Sequence, residues 1–165
     1  MKNIQPLLEN IVKKLTQENQ TISFAESCTG GRISAAFTSI AGASAILHGA
    51  CVTYSNEIKH LWLGVSNEVL EKEGAVSRAC VMQMLEGIQK LTYSDYAVAV
   101  SGIAGPTGGT EVKPVGTVYI GLQTPFMQEE VYHCHFHGPR EAVQEQATVF
   151  AIEKVAEALN LHLFP

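Results

Sequence analysis

Charge is scarce in this chain. Of its 165 residues, 16% are Asp, Glu, Lys or Arg, the eleven basic ones are scattered, and the formal net charge is −5. Nucleic-acid grooves grip phosphates with clustered Lys and Arg, so no such partner is expected. Cysteine is sparse too: Cys28, Cys51, Cys80 and Cys134 lie far apart, with no Cys-x-x-Cys pair. That spacing reads as reduced thiols rather than a disulfide frame. Only Cys28 sits where a thiol could do chemistry; the others read as small buried apolar residues. Every apolar stretch is broken by Gly, polar or charged residues, which argues against a membrane span. The opening Met1-Lys2-Asn3-Ile4-Gln5-Pro6 begins an amphipathic segment, not the apolar core of a signal peptide. A cytoplasmic protein is therefore expected. Hydrophobic residues make up 46% of the chain, enough for one globular domain over residues 1–165 with a substantial core.

What is present is a regular alternation of strand and helix signals. Ile4, Leu7, Leu8, Ile11, Val12 and Leu15 form a helical stripe, followed by a strand over Thr21–Ala25. A helix from about Gly31 to Ile40 ends at Gly42-Ala43-Ser44, and Ile46–Tyr54 reads as a strand. Ser55, Ser66 and Ser77 are placed to cap three helices, the last running to about Leu91. Tyr96–Val100 is continuously apolar, as in a strand covered on both faces. Val115–Thr124 and Glu130–His137 can pair as a hairpin around Pro125, before a final helix from Arg140 to Leu159 with Ala142, Ala147, Phe150, Ala151 and Val155 inward. This order predicts an α/β domain: a three-layer α/β/α sandwich with a mixed, mostly parallel sheet. Ligands of such sheets bind beyond the carboxyl ends of the strands, where Ser27, Tyr54 and the loop from Gly102 all fall.

Two glycine-rich loops stand at those strand ends. The first, Ala25-Glu26-Ser27-Cys28-Thr29-Gly30-Gly31, offers hydroxyls, a backbone that a ligand can approach, and helix N-terminal N–H groups suited to an anion. The second, Ser101-Gly102-Ile103-Ala104-Gly105-Pro106-Thr107-Gly108-Gly109-Thr110, has two readings. Its glycines serve a tight turn, or its N–H groups and hydroxyls cradle a phosphate or carbonyl oxygen, helped by Lys113 and Arg140. Tyr54 closes a strand and Lys59 follows on the next helix. Burial would lower a lysine into the range of a working base, and paired with a serine it would make a Ser/Lys dyad. On an exposed helix the same lysine is a solvated charge. His133, His135 and His137 alternate on one strand face, either as metal ligands or as an exposed histidine face. Alternate residues lie roughly 7 Å apart on a flat strand, which strains a single tetrahedral site, so no metal is expected.

Several ordered motifs together resemble one family. They are Ala25–Gly31, Gly42-Ala43-Ser44-Ala45, Tyr54-Ser55-Asn56 with Lys59, Leu63-Gly64-Val65, Gly74-Ala75-Val76-Ser77, Gly102–Thr110 and Lys113-Pro114-Val115-Gly116-Thr117-Val118. Over nearly the whole chain they resemble the CinA C-terminal domain family, the nicotinamide-nucleotide amidohydrolases. The resemblance implies hydrolysis of the carboxamide of nicotinamide mononucleotide (NMN) to nicotinate mononucleotide and ammonia. It implies a Ser/Lys dyad with no metal or other cofactor, and a homodimer. Lys59 matches the family lysine and Tyr54 the tyrosine beside it. Ser27 and Ser44 both match serines near the family site, and the sequence leaves open which attacks. Ser44, nearer Lys59 along the chain, is favoured, with Ser27 beside it in the site. Substrate contacts are then expected from Thr29, Gly30 and Gly31, from Ser101, Gly105, Gly108, Gly109 and Thr110, and from Arg140.

The chain also departs from the family pattern. The family often has Thr at Ser101 and Gly at Thr107. Where it commonly carries Gly-Asp-Arg and a further arginine four residues on, this chain has Pro139 for the aspartate and Gln144 for that arginine. A lost buried cation would weaken phosphate binding by about 1–3 kcal/mol. Longer members carry a further N-terminal domain with no counterpart here, so activities of that domain are not expected. The alternative to the hydrolase is a non-catalytic pyridine-nucleotide-binding module. A purely structural domain fits two glycine loops poorly.

Overall fold

A computed structural model describes residues 4–126 and 128–161; the first three residues of the amphipathic opening lie outside them. Helix α1 (Gln5–Glu18) starts with Pro6 in its first turn, where a missing N–H costs nothing, and buries Leu7, Leu8, Ile11, Val12 and Leu15. Strand β1 (Ile22–Glu26) is buried at all five positions, and β3 (Tyr96–Gly102) at all but its last. Such strands need a neighbour on each side and helices on both faces. They have both. The sheet order is β2-β1-β3-β4-β5, with β2 (Leu47–Val52), β4 (Thr117–Thr124) and β5 (Gln128–His135) completing it.

β1 runs parallel to β2 and β3, β4 runs antiparallel to β3, and β5 antiparallel to β4. All strands but β4 therefore point one way, giving the mixed, mostly parallel sheet. One face is covered by α1, α2 (Arg32–Thr38) and α6 (Arg140–Ala158), whose core includes Phe24, Phe37, Val98, Ile120 and Ile152. The other is covered by α5 (Arg78–Thr92), which lays Val81, Met84, Leu85 and Ile88 against Ala25, Ala97 and Ala99. Two short helices, α3 (Asn56–Leu63) and α4 (Asn67–Lys72), precede it. Ser55, Ser66 and Ser77 cap α3, α4 and α5 through hydrogen bonds from Ile58, Val69 and Cys80 N–H. The buried face of α6 includes Ala147, Ala151 and Val155 as expected but is centred differently at the other positions. Val143, Gln144, Ala147, Thr148, Ala151 and Ile152 are buried, whereas Ala142 and Phe150 are half-buried. The amide and hydroxyl of Gln144 and Thr148 hid that stripe from an apolar pattern.

The topology decides where the site lies. Because β1, β2 and β3 run parallel, Glu26, Val52 and Gly102 end at one edge of the sheet. Antiparallel pairing brings the start of β4 there through Gly102–Val118, and the end of β5 through Thr117–His135. α6 begins five residues later.

Helix α3 is held against α5 at Gly87. A Cβ there would overlap the Leu63 carbonyl and stand 2.7 Å from the Leu63 carbonyl carbon and Cα, all backbone that cannot move aside alone. Gly87→Ala should lower stability by about 2–3 kcal/mol, a fall in melting temperature of roughly 5–10 °C. Calorimetry checks this, and an unchanged melting temperature would refute the close approach.

Candidate active site

Lys59 is the unusual residue. It is 1% exposed and stands on α3, one turn after the Ser55 cap. Its Nζ donates to Ser27 Oγ at 3.0 Å, to the Thr53 carbonyl at 2.8 Å and to the Tyr54 carbonyl at 3.5 Å. One hydroxyl and two carbonyls carry no charge to compensate an ammonium. Burial accordingly pushes the Lys59 pKa below its ordinary 10.5, against smaller opposing effects from Cys80 and Cys28. A buried lysine with a depressed pKa beside a serine hydroxyl has the components of a Ser/Lys dyad.

Ser27 follows β1 directly and is 7% exposed. Ser44 stands elsewhere. It lies exposed on a short 3-10 turn (Ala43–Ala45) that precedes β2, whereas Lys59 follows the other end of that strand. Six residues of strand at about 3.3 Å each separate the two. Proximity along the chain was misleading, because an extended strand carries its ends apart.

The first glycine turn does a different job from the one expected. The carboxylate of Glu26, 1% exposed, accepts from Thr29 Oγ1 (2.6 Å), Gly31 N (3.0 Å), Ile33 N (3.2 Å) and Ser34 N (2.8 Å). The anion at this helix N-terminus is thus the protein's own. Gly31, at φ +93°, is the N-cap and supplies no side chain for capping. Thr29 and Gly31 therefore serve Glu26, and neither they nor Gly30 line the cavity beside Ser27. Glu26 itself escaped the sequence reading, since one acidic residue in a strand carries no distinctive pattern.

That cavity has a volume of about 240 Å³ and reaches Ser27, Cys28, Tyr54 and Lys59 on one side, with Ser101, Gly105, Thr107 and Gly108 on the other. Ser101 is 1% exposed. Gly109 and Thr110 lie outside the lining; the Thr110 hydroxyl accepts from Lys113 N–H at 3.0 Å, closing the loop's own turn. Lys113 Nζ donates to the Glu73 carbonyl, tying the loop to the end of α4. Tyr54 contributes to Lys59 through its backbone carbonyl. Its exposed side chain points to the rim, where Arg140 Nη2 donates to its hydroxyl at 2.7 Å. Arg140 Nη1 donates to the Gly105 carbonyl at 2.8 Å, so one guanidinium joins the ends of β2, the second loop and α6.

Cys28 faces the same cavity, but burial pushes its thiol up to about 12, so it stays protonated and poorly nucleophilic. All four cysteines are free; Cys80 is fully buried and Cys51 and Cys134 half-buried. His133 stacks on Tyr119 with centroids 4.5 Å apart, and His135 meets His137 edge-on at 4.7 Å. Among the described residues no group of three His, Cys, Asp or Glu is arranged to hold a metal. Nor is any helix there long and apolar enough to cross a membrane. A larger cavity of about 450 Å³ opens at the opposite sheet end, beside Tyr96, Leu122 and Lys154. Its Tyr132 and Lys154 are already paired with Glu130 and Glu157, and Ser27 and Lys59 lie outside it.

The chain matches the model of the CinA C-terminal domain over residues 4–159. It belongs to that family. A CinA-like protein of Pseudothermotoga lettingae is 58% identical over 154 residues, 93% of this chain and 38% of the relative. One from Thermotoga neapolitana is 45% identical over 155 residues, 93% and 37% of the two chains. The chain thus spans well under half the length of these relatives. Among solved structures, the competence/damage inducible protein CihA of Agrobacterium tumefaciens superimposes with a TM-score of 0.92 at 37% identity, covering 97% of both chains. A competence or damage-inducible protein of Enterobacter asburiae gives 0.92 at 31% identity, over 96% of this chain and 99% of that one. As a CinA-family domain, the chain shares its three-layer fold with these structures.

Proposed function

We propose that this CinA-family domain hydrolyses the carboxamide of NMN, with Ser27 as nucleophile and Lys59 as its base. The observation that carries the proposal is the 3.0 Å contact between Ser27 Oγ and the buried Lys59 Nζ at the floor of a cavity. Neutral Lys59 removes the hydroxyl proton as Oγ bonds to the amide carbon. The Cys28 N–H, next in the chain, is the donor assigned to the oxyanion. Protonated Lys59 returns its proton to the departing nitrogen, ammonia leaves, and water releases nicotinate mononucleotide from Ser27. The cavity suits the pyridinecarboxamide end, and Arg140 at the rim meets the phosphate, supplying binding energy away from the reacting bond.

Ammonia release should be measured across NMN, nicotinamide riboside and free nicotinamide. NMN is expected to be turned over fastest, Ser27→Ala to lose turnover and Ser44→Ala to keep it. Full turnover by Ser27→Ala would overturn the assignment. A rise in melting temperature with NMN but no ammonia would mark a binding module instead.

A further inference from the structure

The geometry points to Gln144 as a positioning residue for the reaction proposed above, on which this inference rests: its amide holds the Cys28–Thr29 peptide group, one residue beyond Ser27. Gln144 Nε2 donates to the Cys28 carbonyl at 2.9 Å across 116 residues of sequence, and the residue is only 6% exposed. It sits one helical turn after Arg140, so α6 reaches the site twice: once at the cavity rim and once behind the nucleophile.

The contact costs the fold something. A primary amide on the buried face of α6 gives up water, and an apolar side chain of similar length would avoid that penalty. Gln144 keeps company with Val143, Ala147 and Ala151 on this face. Outside the helix its amide donates to the Cys28 carbonyl, next to the nucleophile.

The consequence follows from peptide planarity. In a trans peptide the carbonyl of Cys28 and the N–H of Thr29 point in opposite directions, so holding one fixes both. Glu26 holds the same turn from its other side, through the Thr29 hydroxyl and Gly31 N–H. Between the two clamps, Ser27 and Cys28 have little freedom to rotate. At 3.0 Å the dyad contact lies toward the long end of the reach of a general base, about 2.6–3.2 Å, so a small outward displacement takes it out of range. Misplacement of a reacting group by about 1 Å can lower a rate by about 100-fold.

Gln144→Met removes the donor at nearly constant length, and Gln144→Arg keeps a donor. Ser27 reactivity can be read without any natural substrate by phenylmethylsulfonyl fluoride, which forms an Oγ–S bond with loss of fluoride and is followed by intact-protein and peptide mass spectrometry. Gln144→Met should be sulfonylated at Ser27 about 10- to 100-fold more slowly, and its kcat on NMN should fall while KM stays put. Gln144→Arg should recover most of that rate. Labelling of Gln144→Met at the wild-type rate overturns the inference. So does an equal loss in both variants, which would mark disturbed packing. Wild-type protein labelled at Ser27 but silent on NMN refutes the substrate and leaves the labelling comparison in force. Wild-type protein not labelled at Ser27 overturns the inference together with the nucleophile.

Discussion

Lys59→Met should lose ammonia release by about 10²- to 10⁴-fold, the range expected when a general base is removed. Methionine keeps most of the volume of the lysine stem at a position 1% exposed, so the fold should persist and circular dichroism should show it. The wild-type rate should also carry the signature of a depressed lysine. Only neutral Lys59 accepts the Ser27 proton, so kcat rises with pH through a limb centred below 10.5, the ordinary value from which burial displaces this group. A limb at or above 10.5 would contradict the proposed base.

The same shift has a sign in stability. Between the lowered folded value and 10.5 the unfolded chain binds the proton that the folded chain has released. Lys59 therefore makes unfolding harder as pH rises through that window, and its burial is most costly to the fold below it. The difference in unfolding free energy, wild type minus Lys59→Met, should grow with pH across the window and be flat below it. Denaturant titrations at several pH values test this, and a difference that shrinks with rising pH would contradict a buried lysine of lowered pKa.

Glu26→Gln should be the most damaging near-isosteric change at this end of the sheet. The carboxylate accepts four hydrogen bonds, three of them from the first N–H groups around α2. An amide offers one acceptor oxygen and turns N–H donors against N–H donors, leaving buried groups unsatisfied. A loss of about 3 kcal/mol is expected, or roughly a 10 °C fall in melting temperature. Activity should fall as well, since the turn that Glu26 anchors carries Ser27. Retention of both stability and turnover would show that the carboxylate is dispensable to the turn.

These residues mark what a linear reading can reach. The strand–turn–helix order, the serine caps on α3, α4 and α5, and the meeting of three strand ends at Ser27, Tyr54 and Gly102 were legible, because short-range periodicity and capping chemistry leave direct traces. Lys59 and Ser27 were visible as candidates, each ordinary by itself. Glu26 and Gln144 were not, since a buried carboxylate and a buried amide are justified only by partners that folding brings to them.

By itself, the sequence determined the element order, the apolar faces and the small set of hydroxyl and amine groups able to do chemistry. The tertiary structure alone set Ser27, and not Ser44, against Lys59, gave the first glycine turn to Glu26, and turned the Tyr54 side chain toward Arg140. The reason is geometric. Helix and strand signals come from neighbours within a few residues, whereas a depressed lysine pKa requires burial against segments such as the end of β1, where Ser27 lies 32 residues away along the chain.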